Sequence, residues 1–108
     1  MPKFHRGDVV IVQFPFKDGI GSKIRPAVII REEYTDEYLI CQITKNNRSD
    51  KLRGFWILQD SDDGRKMGIR EDSFVNADNT ICLKAFMFNG KIGYFPYIEE
   101  LEELIDGL

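Results

Sequence analysis

Imidazole and thiol groups are scarce in this 108-residue sequence, which has one histidine and two cysteines. With no CxxC pair and only His5 to offer a ring nitrogen, an all-protein zinc or iron site has almost no ligands, so neither metal nor cofactor is expected. Cys41 and Cys82 each lie among apolar or β-branched neighbours, which places both as reduced thiols in the core. Long hydrophobic runs are also missing. The longest, such as residues 9–12 and 27–30, fall far short of the roughly 20 residues of a spanning helix, so no membrane partner is expected. Asp8 and Gln13 interrupt what would be the apolar stretch of a secretory signal, which leaves the cytoplasm as the expected compartment. The 13 glycines and prolines are scattered, with no linker, repeat or low-complexity tract, and residues 1–108 read as one domain.

Positive charge is in deficit overall. A net charge of −3 looks wrong for a nucleic-acid binder until its distribution is considered. Five acids and no base lie between residues 99 and 106, and setting that −5 aside leaves the rest of the chain at +2. Between residues 45 and 53, four bases (Lys45, Arg48, Lys51, Arg53) face the single acid Asp50. Such a segment suits contact with phosphate, or else is an ordinary solvated hairpin tip.

What is present is mostly strand signal. Residues 8–14 are apolar, rich in Val, and stopped by Pro15, as in a buried strand. Residues 17–23 hold Gly19 and Gly21 around Ile20, a loop able to shift or to let a ligand approach the main chain. Residues 27–31, 38–44 and 55–58 read as the next three strands, 60–68 as a polar turn or mobile loop, and 73–75 and 80–88 as further strands. Asn89-Gly90 favours a tight turn. Only the C-terminus has helical period: Tyr97, Ile98, Leu101, Leu104, Ile105 and Leu108 share one face, with Pro96 at the start. The pattern predicts a mainly β fold with a terminal helix, in which a small, strongly bent sheet forms a half-open barrel of SH3-like size.

The succession Gly7-Asp8-Val9-Val10, Phe14-Pro15-Phe16, a glycine loop, and Arg25-Pro26-Ala27-Val28-Ile29-Ile30 resembles the MazF/PemK family of toxin endoribonucleases from type II toxin-antitoxin pairs. Cys41-Gln42-Ile43-Thr44 and Asp72-Ser73 extend the resemblance over most of the chain. It implies an SH3-like, PemK-type barrel, a homodimer, metal-independent cleavage of single-stranded RNA at short motifs, and inhibition by a largely disordered cognate antitoxin peptide. It also implies that Arg25 and Thr44 are the catalytic pair, and that Asp78 matches a further polar position. Three positions depart from the family's pattern. Asn76 stands where some relatives have arginine, Gly19-Ile20 offers no acid or imidazole, and Lys45 replaces a small hydroxyl residue.

The chemistry of these side chains fits such a role. A guanidinium fork matches two phosphate oxygens and stays charged, so Arg25 suits electrostatic stabilisation of a phosphorane better than proton donation. The Thr44 hydroxyl cannot act as a base near neutrality and is cast as a group that orients phosphate or the 2′-hydroxyl. Phe16, Lys17, Gly19, Gly21, Lys23, Lys45, Asn46, Arg48 and Asp78 are expected to contact the substrate, with Phe16 placed to stack on a base. Phe55 and Trp56 read as core, and His5 as solvated. Two further functions stay open: a PemK-like barrel that binds RNA or a partner peptide without cutting, and an SH3-like adaptor for proline-rich ligands.

Overall fold

The computed structural model describes residues 4–15, 19–45 and 53–107. In chain order they form β1 (Asp8–Pro15), β2 (Ser22–Tyr34), β3 (Glu37–Thr44), β4 (Gly54–Ile57), α1 (Asp62–Met67), β5 (Ser73–Lys84), a 3₁₀ turn (Ala85–Met87), β6 (Phe88–Tyr94) and α2 (Ile98–Asp106). All strand pairings are antiparallel. The strands make one six-stranded sheet in the order β4-β5-β3-β2-β1-β6. Among the described residues β4 and β6 remain as its two edges, so the predicted mainly β fold with a terminal helix is present, but the sheet stays open rather than closing into a barrel.

The apolar runs in the central strands exist because both faces of the sheet are covered. Successive residues of a strand point to opposite faces. In β1 to β3 this sends Val9, Val28, Ile30, Cys41 and Ile43 into one core, closed by Met67 of α1 and by Ile98 and Leu101 of α2. It sends Val10, Val12, Ala27, Ile29, Tyr38 and Ile40 into a second core, closed by Phe4 and Phe88. Each fully buried aliphatic side chain of this size contributes roughly 1.5–3 kcal/mol, which makes β1 to β3 the rigid centre of the molecule.

The predicted helical face is the one α2 buries: Ile98 and Leu101 are inside, and Leu104 and Ile105 pack at the margin. Tyr97 stands at the N-cap with its hydroxyl donating to Asp63 at 2.6 Å instead of capping the helix, and Leu108 lies outside the described residues. Arginines fasten the acidic side. Arg6 meets Glu102 at 2.6 Å, Arg31 meets Glu102 at 3.2 Å and Asp106 at 3.3 Å, and Arg53 donates to the Leu104 carbonyl.

Several expectations are corrected. Residues 60–68 contain helix α1. Ser61 Oγ accepts from the Gly64 N–H at 3.0 Å, and Gly68 closes the helix in the left-handed region at φ 74°. Six residues are too few to show a period, so only the two caps betray the helix. The expected strands 73–75 and 80–88 are one strand, β5. A register shift against β3 between Cys41 and Ile43 lets residues 76–79 bulge without breaking it. Asn89-Gly90 lies within β6 opposite β1, and the chain turns earlier, at Ala85–Met87. Strand β2 starts at Ser22, not residue 27, because β1 pairs with it as far as Pro15↔Ser22. Cys82 is exposed on β5, beyond the reach of the first core, and of the two only Cys41 is a core thiol. Trp56 is 49% exposed on an edge strand instead of core.

Candidate functional site

The end of the sheet next to the glycine loop collects most of the described candidate residues. In the β1–β2 ladder Arg25 opposes Val12 and Lys23 opposes Phe14. Val12 belongs to the second core and Phe14 packs against it, so alternation places Lys23 and Arg25 on that same face. In β3, Ile43 faces the first core, which turns Gln42 and Thr44 the opposite way. The β2–β3 ladder pairs Ala27 with Gln42 and Val28 with Cys41. Carried two residues further along both strands, that register sets Arg25 level with Thr44. Residues so opposed in an antiparallel pair have Cβ atoms about 5 Å apart and project to one side. Phe14, Lys23, Arg25, Gln42 and Thr44 therefore form one patch.

Electrostatics distinguishes Arg25, and with it Arg70 on the opposite face, from the other described arginines. Arg6, Arg31, Arg53 and Arg65 are all spent in ion pairs. Among the described residues the Arg25 guanidinium has no carboxylate within ion-pair distance, although the side chain is half-buried on the sheet. A fixed cation of this kind, seated on a rigid strand beside a hydroxyl, is a ready site for a phosphate group.

The other candidates distribute as follows. Gly19 and Gly21 are exposed and hold left-handed φ values of 77° and 79°, so the loop leading into β2 depends on glycine for its path. Lys45, next to Thr44, is exposed and lies 3.5 Å from Glu71. Asp78 is not offered to the patch: its carboxylate accepts from Arg53 at 2.6 Å, and Arg53 in turn holds the end of α2. Phe16, Lys17, Asn46 and Arg48 lie outside the described residues. His5 is exposed, and its backbone N–H donates to Asp8 at 2.8 Å at the far end of β1. Gln42 was missed by residue type; its signal was its place two residues before Thr44 in a strand.

Neighbouring groups add little nucleophilic chemistry. Burial, followed by the charge of Asp78, pushes the Cys41 thiol up to about 12, and its sulfur sits 2.8 Å from the Asn76 carbonyl. That thiol stays protonated at neutral pH. A cleft of about 550 Å³ opens on the other face of the β1–β2 ladder, lined by Ile11, Pro26, Ile69, Arg70 and Ile92. Ile11 and Pro26 oppose one another and alternate with Val12 and Arg25, so this cleft and the Arg25 patch are back to back. Among the described residues no three His, Cys, Asp or Glu side chains gather to hold a metal ion, and no helix is long and apolar enough to cross a membrane.

The model of the family described as PemK-like, MazF-like toxin of type II toxin-antitoxin system matches residues 5–97. No curated protein sequence matches the chain. Among solved structures, Mycobacterium tuberculosis toxin MazF-mt6 superimposes with a TM-score of 0.67 at 24% identity, with 93% of each chain covered. A MazE-MazF structure from Deinococcus radiodurans gives 0.66 at 14% identity, covering 96% of this chain and 92% of that one. An endoribonuclease in complex with its cognate antitoxin, from a mycobacterial species, gives 0.61 at 17% identity, covering 94% and 90%. At these identities the structures share the fold.

Proposed function

The chain belongs to the PemK-like, MazF-like toxins of type II toxin-antitoxin systems, a family of RNA-cleaving toxins, and from that premise we propose that it is a sequence-selective endoribonuclease that cuts single-stranded RNA without a metal ion. One observation carries the proposal. Arg25, with no carboxylate partner among the described residues, falls level with Thr44 on one face when the Ala27↔Gln42 register is carried two residues further along β2 and β3.

In the reaction the ribose 2′-oxygen bonds to the adjacent phosphorus and the bond from phosphorus to the 5′-oxygen breaks. The products are a 2′,3′-cyclic phosphate and a 5′-hydroxyl; the 2′-proton passes to water and the leaving oxygen takes one up. Charge builds on the non-bridging oxygens in the transition state. The Arg25 fork meets two of them, a stabilisation of the kind whose removal costs on the order of 10²–10³ in rate. The Thr44 hydroxyl, about 5 Å away at Cβ, holds the phosphate or the 2′-hydroxyl in line. Lys23, on the same face as Arg25, guides the adjoining backbone. By family kinship the active form is a homodimer, and its partner is a cognate antitoxin peptide whose acidic segment competes for the same basic patch.

One observation favours a second function, RNA binding without cutting: none of Phe14, Lys23, Arg25, Gln42 or Thr44 accepts a proton near neutrality. Incubation with single-stranded RNA in excess EDTA separates the two. We expect cleavage leaving 2′,3′-cyclic phosphate ends, lost in Arg25→Ala. Binding with no cleavage by the unmodified protein would reject the nuclease and leave the binder.

A further inference from the structure

We propose that the exposed indole of Trp56 is a stacking platform for one unpaired base of the RNA strand, a few nucleotides from the phosphate held at Arg25 and Thr44; the proposal rests on the endoribonuclease assignment above. Register gives the placement. Thr44 opposes Phe74 across β3–β5, and Phe74 opposes Trp56 across β5–β4. Directly opposed residues share a face. Phe55 and Ile57, which alternate with Trp56, turn to the first core, so Trp56 emerges on the side that carries Thr44 and Arg25. One row of side chains thus runs across four strands: Trp56, Phe74, Thr44, Arg25.

The local structure holds the indole up instead of burying it. Phe74 is buried beneath it, with ring centroids 5.0 Å apart and planes tilted by 52°. The Phe74 ring lies over Gly54, where an added Cβ would come 2.8 Å from its Cζ. Gly54 therefore leaves room for Phe74, and Phe74 supports Trp56, which keeps 49% of its surface open to solvent at the sheet edge.

Spacing fits a nucleic-acid strand. Adjacent strands lie about 4.8 Å apart, which places Trp56 about 10 Å from Thr44 across the sheet. A stacked strand advances about 3.4 Å per nucleotide, so that interval spans at most about three nucleotides. Cationic Lys23 and Arg25 line the track on the same face, and an aromatic face beside a basic track suits single-stranded nucleic acid whatever the base. An acidic peptide would use the cations but has no need of a flat ring at nucleotide spacing.

Trp56 is the only tryptophan in the chain, so its emission reports on this residue alone. A single-stranded 2′-O-methyl RNA, which lacks the attacking hydroxyl and stays uncut, is titrated into the unmodified protein while tryptophan emission and anisotropy of an end label are followed together. We expect the emission to quench with the same midpoint as the anisotropy. Trp56→Ala should weaken binding by roughly 5- to 100-fold, with Trp56→Phe recovering most of the loss. Saturating anisotropy with unchanged emission and equal affinity for Trp56→Ala would overturn the platform. So would an emission change produced by an acidic peptide and not by RNA. The two assignments fail separately. RNA that quenches Trp56 but is never cut as the unmodified ribose form removes the nuclease and keeps the platform; cutting with Trp56 silent does the reverse.

Discussion

Removing one leucine from α2 should cost the protein more than removing the arginine that fastens that helix most heavily. The Leu101 side chain is fully buried in the core beneath α2. Truncation to alanine there loses its transfer free energy and leaves a cavity, together about 2–5 kcal/mol. Arg31 makes more visible contacts, to Glu102 at 3.2 Å, to Asp106 at 3.3 Å and to Glu33 at 2.8 Å, but its side chain is 38% exposed. Pairs at such exposure contribute about 0.2–1 kcal/mol each, and only two of the three reach the helix. Salt separates the terms, since the screening length falls from about 10 Å at 0.1 M to about 3 Å at 1 M. We therefore expect Leu101→Ala to lose about 3 kcal/mol at either salt concentration. Arg31→Ala should lose about 1 kcal/mol at low salt and less at high salt. Urea unfolding followed by far-ultraviolet circular dichroism resolves them: with a slope of about 1–2 kcal/mol per molar, the leucine variant should shift its midpoint by about 2 M. An Arg31→Ala loss equal to that of Leu101→Ala would refute the view that packing holds the helix, as would a Leu101→Ala loss that disappears in salt.

In the folded protein Cys82 should react readily with a thiol reagent while Cys41 waits for unfolding; equal rates would place both thiols on the surface. Because burial pushes the Cys41 thiol up to about 12 from an ordinary value near 9, the folded chain keeps a proton that the unfolded chain releases, so stability should fall as pH rises from about 9 toward 12. Cys41→Ala should flatten that decline in pH-resolved urea midpoints, and an unchanged slope would exclude the thiol as its source. Gly68→Ala should destabilise by at least about 1–3 kcal/mol, since φ 74° is combined with a Cβ driven onto the Ile92 carbonyl; Gly107→Ala, at φ 79° with open space, should cost less in thermal melts. Arg25→Ala, which breaks no ion pair among the described residues, should unfold within about 0.5 kcal/mol of the unmodified protein even as cleavage is lost. A large loss of stability would make Arg25 a structural residue.

The sequence disclosed those parts of the fold that depend on local pattern or on a single chain segment. Strands β1 and β3 and helix α2 are self-declaring, because burial on one or both faces imposes period 2, a continuous apolar run or period 3.6 on their own residues. What stayed hidden depends on partners elsewhere. Residues 22–26 carry only one aliphatic side chain, Ile24, and include proline, and they become strand only because β1 supplies a ladder for them. Residues 76–79 interrupt the strand pattern of β5, and only the opposing register of β3 shows that the strand continues past them. Residues 62–67 have no room for a helical period, so Ser61 and Gly68 are the only local marks of α1. Trp56 looked like core for a similar reason: an aromatic in a short strand is buried or exposed according to what lies beside that strand, and β4 is an edge.

The division of charge between the two sides of the sheet resolves the tension between an acidic chain and the proposed nucleic-acid site. The acids concentrated in residues 99–106 belong to α2, which lies on the first core, while Arg25 projects with the residues of the second. The sheet and its packed side chains separate the two. Glu102 and Asp106 are in addition engaged by Arg6 and Arg31, so part of the helix's negative charge is neutralised where it arises. Net charge is a property of the chain, whereas a phosphate strand responds to the potential within about one screening length, near 8 Å in physiological salt. On that scale the face proposed to meet the strand is set by Lys23 and Arg25, while Lys45, paired with Glu71, alternates to the other side. Fastening the acidic helix to the far face with Arg6 and Arg31 keeps its carboxylates away from the near one, where Arg25 has no carboxylate partner among the described residues.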